Sequence, residues 1–136
     1  MSAVSQTYEE AKAARSRLID QFRSAWEAAD LDGLMALMTE DAVFRAAIGP
    51  EPGQTFQGAA EVERGFRFYL AKAPGGNSTT ETAVDLISPD FAVTRWRTRT
   101  VGADGTVIET ASCDIFEFEG PLIRFKDTYR KVNATP

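Results

Sequence analysis

Two carboxylates in apolar rows of strand-like stretches are the side chains of this sequence best suited to chemistry. Taking every second residue of "LIRFKDTYRK", residues 122–131, separates an apolar row from a polar one. The apolar row consists of Ile123, Phe125, Asp127 and Tyr129. The polar row consists of Arg124, Lys126, Thr128 and Arg130. We expect the polar row to face water or a partner, so that Asp127 points to the interior, where a carboxylate must be paired, neutralised or used.

Asp114 is the second carboxylate of this kind, since it alternates with Phe116 and Phe118 in "SCDIFEFE". If both carboxylates line one cavity, their surroundings separate their acidities, and one donates a hydrogen bond while the other accepts a proton. Asp127 could instead pair with a buried arginine, cap a loop or sit at a wet pocket mouth. The direction of Asp114 is open, because both alternating rows of its stretch contain apolar residues.

The composition limits the chemistry further. The chain of 136 residues has no histidine and a single cysteine, Cys113, so no Ser-His or Cys-His nucleophile can form. Phosphate-binding, dinucleotide and metal-ligand motifs are absent, and we expect no cofactor and no metal. The net charge of −5 argues against nucleic acid as a partner. Without a signal peptide or a membrane-spanning apolar run, we expect a cytoplasmic protein that does not bind membranes.

The pattern of elements predicts one α+β domain over residues 1–136, with loose ends at 1–6 and 133–136. The helical spacing of apolar residues predicts three helices, at residues 7–30, 31–38 and 59–73. A strand at 42–48 and a loop at 49–58 should lie between the second and third helices. Turn signals then separate four strands of an antiparallel meander, at residues 78–87, 91–101, 106–119 and 122–132.

The run "AADLDGLMALMTEDAVFRAAIGPEPGQTFQGAAEV" resembles the first half of SnoaL-like and ketosteroid-isomerase-like proteins of the nuclear transport factor 2-like superfamily. The matching pattern is "DLDG..AL...DA......G.EP...G..", and "CDIFEFEGPLIRFKDTY" is similar to the family's last two strands. The resemblance covers residues from about 20 to 131. It implies a cone-shaped half-barrel, in which a curved, mostly antiparallel sheet wraps over three N-terminal helices around a deep apolar cavity. It also implies a homodimer through the outer face of the sheet.

Residue by residue, the resemblance carries over only in part. The ketosteroid isomerase positions for two tyrosines and two carboxylates are occupied by Phe22, Ala46, Phe66 and Asp114. Because only Asp114 fits, that particular activity is not expected. Trp96 and Thr98 replace the arginine and first aspartate of the family's epoxide hydrolases, and the histidines of its dehydratases are missing. Asp127 is similar to the aspartate base on the final strand of the family's polyketide cyclases.

These residues favour a protein that holds a small apolar ligand, such as a polycyclic, polyketide-like or steroid-like compound, in a deep cavity. Asp127 would abstract a proton next to a carbonyl, as in an isomerase or cyclase, and Asp114 would stabilise the enolate. The expected ligand contacts are Trp96, Thr98, Phe116, Phe125, Tyr129, Tyr69, Phe66, Phe22 and Trp26. The alternative is a non-catalytic ligand-binding or dimerisation module, and an epoxide hydrolase or dehydratase fits least.

The arginines of "RWRTRT" alternate with Trp96 and Thr98 and therefore belong to the opposite face of their strand. They could bind an anion. The interpretation we favour is that they pair with glutamates of the neighbouring strand on the outer surface of the sheet, namely Glu109, Glu117 and Glu119.

Overall fold

The computed structural model describes residues 3–50, 52–71 and 78–132 of the chain. In chain order, its elements are α1 (Ala3–Glu27), α2 (Leu31–Met35), β1 (Met38–Arg45), β2 (Thr55–Gln57), α3 (Ala59–Ala71), β3 (Ser78–Ile87), β4 (Phe91–Val101), β5 (Val107–Glu119) and β6 (Leu122–Val132). The predicted α+β class, the three N-terminal helices and the four-strand meander are confirmed. Residues 3–6 belong to α1, whereas 1–2 and 133–136 lie outside the described residues.

The strands form one open, mixed sheet in the order β2-β1-β6-β5-β4-β3. Neighbouring strands are antiparallel except for β1 and β6, which run parallel. β1 begins at Met38, which the sequence pattern assigned to the end of a helix, and β2 lies in the stretch expected to be a loop. The parallel pairing places Phe44 of β1 directly beside Lys126 of β6.

The core lies between one face of the sheet and helices α1 and α3, and we call this face the inner face. The rings of Phe22 on α1, Phe66 on α3 and Phe116 on β5 meet there, with centroids 5.9 Å apart for Phe22 and Phe66 and 5.4 Å for Phe22 and Phe116. All three residues are at most 5% exposed. Burying a side chain of this kind contributes roughly 1.5–3 kcal/mol, so these contacts are the main attraction between the layers.

Polar contacts fix α1 along the sheet. The guanidinium group of Arg15 donates to the carbonyl oxygens of Pro89, at 2.9 Å, and Gly120, at 2.6 Å, and lies 4.7 Å from the centroid of the Phe118 ring. These carbonyls belong to the turns between β3 and β4 and between β5 and β6. One side chain therefore holds the helix against two turns at the same end of the sheet.

Gly65 allows α3 to approach β2 closely. A Cβ atom at this position would lie 2.8 Å from a carbon of the Phe56 ring, which is too short for a van der Waals contact. Any larger side chain would therefore push α3 away from Phe56, which is itself 5% exposed.

A register shift between β5 and β6 decides which residues of β6 reach the interior. Phe118 lies opposite Ile123, but the next pair is Glu117 with Phe125, so β6 accommodates Arg124 as an extra residue. Past this bulge the alternation is inverted. Lys126 and Thr128 are 5% and 8% exposed. The prediction that these two residues lie on the outward side of the strand, facing water or a partner, is wrong, because both point to the interior.

Candidate functional site

The inner face carries a buried polar cluster of Lys126, Asp114 and Thr128, which we call the inner cluster. Lys126 Nζ lies 3.2 Å from Asp114 Oδ1 and donates to Thr128 Oγ1 at 2.7 Å. Thr128 Oγ1 in turn donates to Asp114 Oδ1 at 2.5 Å. Asp114 and Thr128 are directly opposite each other on neighbouring strands, so the pairing of β5 with β6 holds the triangle together.

Aromatic rings surround the ammonium group of Lys126. Nζ lies 4.7 Å from the ring centroid of Phe44, 5.5 Å from that of Trp26 and 5.9 Å from that of Phe22. A cation at such distances is attracted to the ring faces, and the attraction increases when water is excluded. The side chain of Lys126 is 6% exposed. The ammonium group is therefore balanced by one carboxylate, one hydroxyl and three ring faces.

The two charges depend on each other in this setting. Transferring each of them from water to the interior is expensive, and the mutual attraction offsets this cost only when both are present with good hydrogen bonds. The inner cluster meets these conditions, because Asp114 Oδ1 accepts from both of its partners. In this arrangement Asp114 serves as a hydrogen-bond acceptor, whereas we expected it to donate a hydrogen bond to the ligand.

Ser112 extends the polar row of the inner face by one position. The residue is 7% exposed, and its Oγ atom is buried without a hydrogen-bond partner. Trp96 on β4 and Arg130 on β6 lie directly opposite Ser112 on the two sides. Nearby on α3, burial raises the pKa of Tyr69, while the positive charge of Arg130 lowers it.

The structure places Asp127 on the outer face of the sheet, and the prediction that it points into the interior is wrong. Asp127 lies opposite Ile115 of β5 and Arg45 of β1. It accepts a hydrogen bond from Tyr129 Oη at 3.2 Å. Its negative charge raises the pKa of Tyr129, which is 54% exposed. The geometry therefore gives no support for Asp127 as a base acting on an interior ligand.

The bulge at Arg124 also explains why two other predicted ligand contacts lie on the outer face of the sheet. Phe125 and Tyr129 share the outer face with Asp127, because all three follow the inverted alternation. The ring of Phe125 lies 6.0 Å from the guanidinium carbon of Arg45. The expectation that these two side chains line the interior is therefore wrong.

The remaining predicted contacts do come together. Phe22, Trp26, Phe66 and Tyr69 contact one another or Phe44 through their rings. Phe116 and Asp114 are buried on the inner face, as expected. Trp96 and Thr98 follow Thr94 in the same row of β4 and are half-buried. The structure thus joins these residues in one region, although their role toward a ligand remains a prediction.

Three residues of the inner face were not predicted from the sequence: Lys126, Thr128 and Ser112. The repulsion between two buried carboxylates could have indicated the first two. If β6 had no bulge, strand pairing counted from the turn between β5 and β6 would place Asp127 directly opposite Asp114 on the inner face. Two carboxylates at opposed positions repel each other, and burial strengthens the repulsion. The extra residue replaces this pair with Asp114 opposite Thr128, beside the cation of Lys126.

The outer face is rich in charge. Arg99 lies 3.8 Å from Glu109, and Arg124 lies 3.8 Å from Glu117 and 3.7 Å from Glu119. The charge pairs expected across the strands are therefore present for Arg99. A groove of about 450 Å³ runs along this face beside Arg97, Ala111 and Lys131.

Cys113 is half-buried on the outer face. Burial and the negative charges of Asp114 and Asp127 raise the pKa of its thiol, while Arg95 lowers it. Across the described ranges, acidic residues and cysteine form no group of three that could hold a metal ion. None of the described helices has the length and apolar character needed to cross a bilayer.

Several solved structures share the fold of this chain. An NTF2-like protein from Cytophaga hutchinsonii has a TM-score of 0.69 at 19% identity, with 88% of this chain and 98% of that one covered. A provisionally assigned ketosteroid isomerase from Kribbella flavida has a TM-score of 0.67 at 14% identity, covering 95% and 83%. RV0760c from Mycobacterium tuberculosis, in complex with estradiol-17beta-hemisuccinate, has a TM-score of 0.63 at 17% identity, covering 85% and 92%.

At these identities the likeness extends to the fold, which is that of the NTF2-like proteins. The SnoaL-like domain profile matches residues 19–125. The chain therefore belongs to the SnoaL-like domain family, and the resemblance noted in its sequence is confirmed. No curated protein matches it.

Proposed function

We propose that the protein binds a small, mostly apolar carbonyl compound between the inner face of the sheet and helices α1 and α3. The observation that carries the proposal is the inner cluster, whose three residues are all more than nine-tenths buried and whose ammonium group lies over aromatic rings. Apolar side chains of similar volume would fill this space without desolvating two charges. Polar groups placed within an apolar pocket typically orient a ligand.

The solved relatives support a ligand made of fused, oxygenated rings. RV0760c was crystallised with a steroid ester, and the Kribbella flavida relative is provisionally assigned as a ketosteroid isomerase. In this chain, the half-buried rings of Trp26 and Tyr69 offer apolar surfaces against which a flat skeleton would pack, and the buried ring of Phe66 supports that of Trp26 from the core. The inner cluster would then meet the polar end of the ligand.

A second candidate function is proton transfer on the same bound compound, and the buried position of Asp114 favours it. Asp114 would accept a proton from the carbon next to the carbonyl. The Lys126 ammonium group, 3.2 Å from Asp114 Oδ1, would stabilise the negative charge that develops on the carbonyl oxygen. Return of the proton to another carbon completes an isomerisation and needs no further reactant.

Ligand binding is tested by titrating the protein with estradiol-17β-hemisuccinate and following tryptophan fluorescence, because Trp26 contacts the inner cluster and Trp96 lies in the adjoining row. We expect saturable quenching. Asp114→Asn should weaken binding by about tenfold or more, as expected for a lost charged contact. The matched variant Asp127→Asn, on the outer face, should bind like the wild type. Absence of saturable binding by the wild type, or equal effects of the two variants, would contradict the proposal.

The second candidate is tested by hydrogen exchange in D₂O, with NMR detection of the protons next to the carbonyl of a bound cyclic ketone. Wild type and Asp127→Asn should accelerate exchange, whereas Asp114→Asn should not. If binding occurs and none of the three proteins accelerates exchange, the protein is a binding module.

We also propose a homodimer formed through the outer face. Leu86 and Phe91 are 62% and 50% exposed there, and Val93 and Ile115 lie beside them. Arg45 and Asp127 stand next to this apolar surface with opposite charges. A surface that carries both signs around an apolar centre can pair with a copy of itself across a two-fold axis.

A further inference from the structure

Ser112 is an exception among the buried polar side chains that the structure describes. Its hydroxyl group is buried and has no partner, whereas the hydroxyl group of Thr128 both donates to Asp114 and accepts from Lys126. Buried polar groups nearly always form a hydrogen bond, because water would otherwise have satisfied them. A hydroxyl at this depth to which no protein group bonds is therefore available to a bound molecule.

The position of Ser112 defines where that partner would be. Ser112 and Asp114 point to the same face of β5, and two residues along a strand span roughly 6.6 Å. Trp96 lies directly opposite Ser112 on β4 and is half-buried. The Ser112 hydroxyl is thus flanked by the inner cluster along its own strand and by an indole ring across the sheet. A flat molecule that stacks on Trp96 would bring its edge to the hydroxyl.

We infer that the Ser112 hydroxyl forms a hydrogen bond with an oxygen of the bound ligand, so that the protein selects oxygenated polycyclic compounds over hydrocarbons of the same shape. This inference rests on the proposed function and specifies its ligand class. A serine hydroxyl donates to a carbonyl or accepts from an alcohol. A pocket built around such a bond discriminates strongly against an analogue that lacks the oxygen, because the protein group then stays unpaired.

The test uses three tricyclic probes of nearly the same shape: 9-fluorenone, 9-fluorenol and fluorene. Their affinities are measured by tryptophan quenching for the wild type and for Ser112→Ala, with Ser24→Ala on the exposed side of α1 as the control. The wild type should bind at least one oxygenated probe about tenfold or more tightly than fluorene. Ser112→Ala should lose this preference through weaker binding of the oxygenated probe, while its affinity for fluorene stays the same or increases.

Thermal unfolding provides a second readout that does not need a ligand. Because no protein group forms a hydrogen bond with this hydroxyl, Ser112→Ala should unfold at the same temperature as the wild type or at a higher one. A lower unfolding temperature would mean that the hydroxyl stabilises the free protein, for example through an ordered water molecule, and would overturn the inference.

The outcomes separate this inference from the proposed function. If estradiol-17β-hemisuccinate binds but the wild type shows no preference among the three probes or binds none of them, the inference fails and the proposed function stands. A preference that persists in Ser112→Ala also overturns it. If neither estradiol-17β-hemisuccinate nor any of the three tricyclic probes binds, the proposed function itself fails.

Discussion

Lys126 and Asp114 illustrate how strongly single residues in the interior depend on their neighbours. The ammonium and the carboxylate are both nearly excluded from water, with side chains 6% and 8% exposed. Each charge is stabilised there by the other, because Lys126 Nζ lies 3.2 Å from Asp114 Oδ1. A buried pair of this kind adds little net stability, yet the removal of either member leaves a buried charge without compensation.

Replacement of Lys126 by methionine should therefore lower the free energy of unfolding by roughly 3–5 kcal/mol, because it leaves the Asp114 carboxylate unpaired. The double variant Lys126→Met with Asp114→Leu should recover most of this loss. Urea denaturation followed by circular dichroism measures the free energies of unfolding of the wild type, Lys126→Met, Asp114→Leu and the double variant. If the losses of the two single variants simply add in the double variant, the two charges are not energetically coupled, contrary to this expectation.

At the scale of elements, α1 is held on the sheet by apolar packing and by the side chain of Arg15. The hydrogen bonds of Arg15 to Pro89 and Gly120 join one helix to two turns. Arg15→Ala removes both bonds and should lower the free energy of unfolding by about 1–3 kcal/mol. Chemical denaturation measures the effect, with Arg17→Ala, on the exposed side of the same helix, as the control. Equal losses in the two variants would mean that the Arg15 hydrogen bonds do not contribute.

The same scale shows what could be predicted from the sequence. The periodicity of apolar residues predicted the helices and the meander, because burial of one face sets the spacing along each element. The bulge in β6 could not be predicted in this way, since Arg124 has no turn signal of its own and the stretch "RFKDTYR" reads equally well in either alternation. One extra residue then exchanges the two faces of a strand. The expected site therefore contained Asp127 and Phe125 where the structure has Lys126 and Thr128.

At the scale of the whole molecule, the outer face is the surface on which the proposed dimer depends. Phe91→Glu and Leu86→Glu place charges at positions 50% and 62% exposed, so each variant should still fold. A buried interface would not tolerate these charges, and we expect a dimeric wild type and monomeric variants by sedimentation velocity. Phe68→Glu on α3, a position 49% exposed, is the matched control and should remain dimeric. A monomeric wild type at all concentrations would refute the proposal.

The strand order also affects how the sheet can assemble as the chain folds. β6 is the last described strand in the chain, yet it lies between β1 and β5 near the middle of the sheet. Without β6, the strands of this sheet would fall into two separate groups, β2-β1 and β5-β4-β3, and the edges of β1 and β5 that β6 covers would be unpaired. Joining them requires contacts between residues distant in sequence, which is typical of slow folding. During synthesis, the arrival of β6 is therefore the step that protects both edges from pairing with other chains.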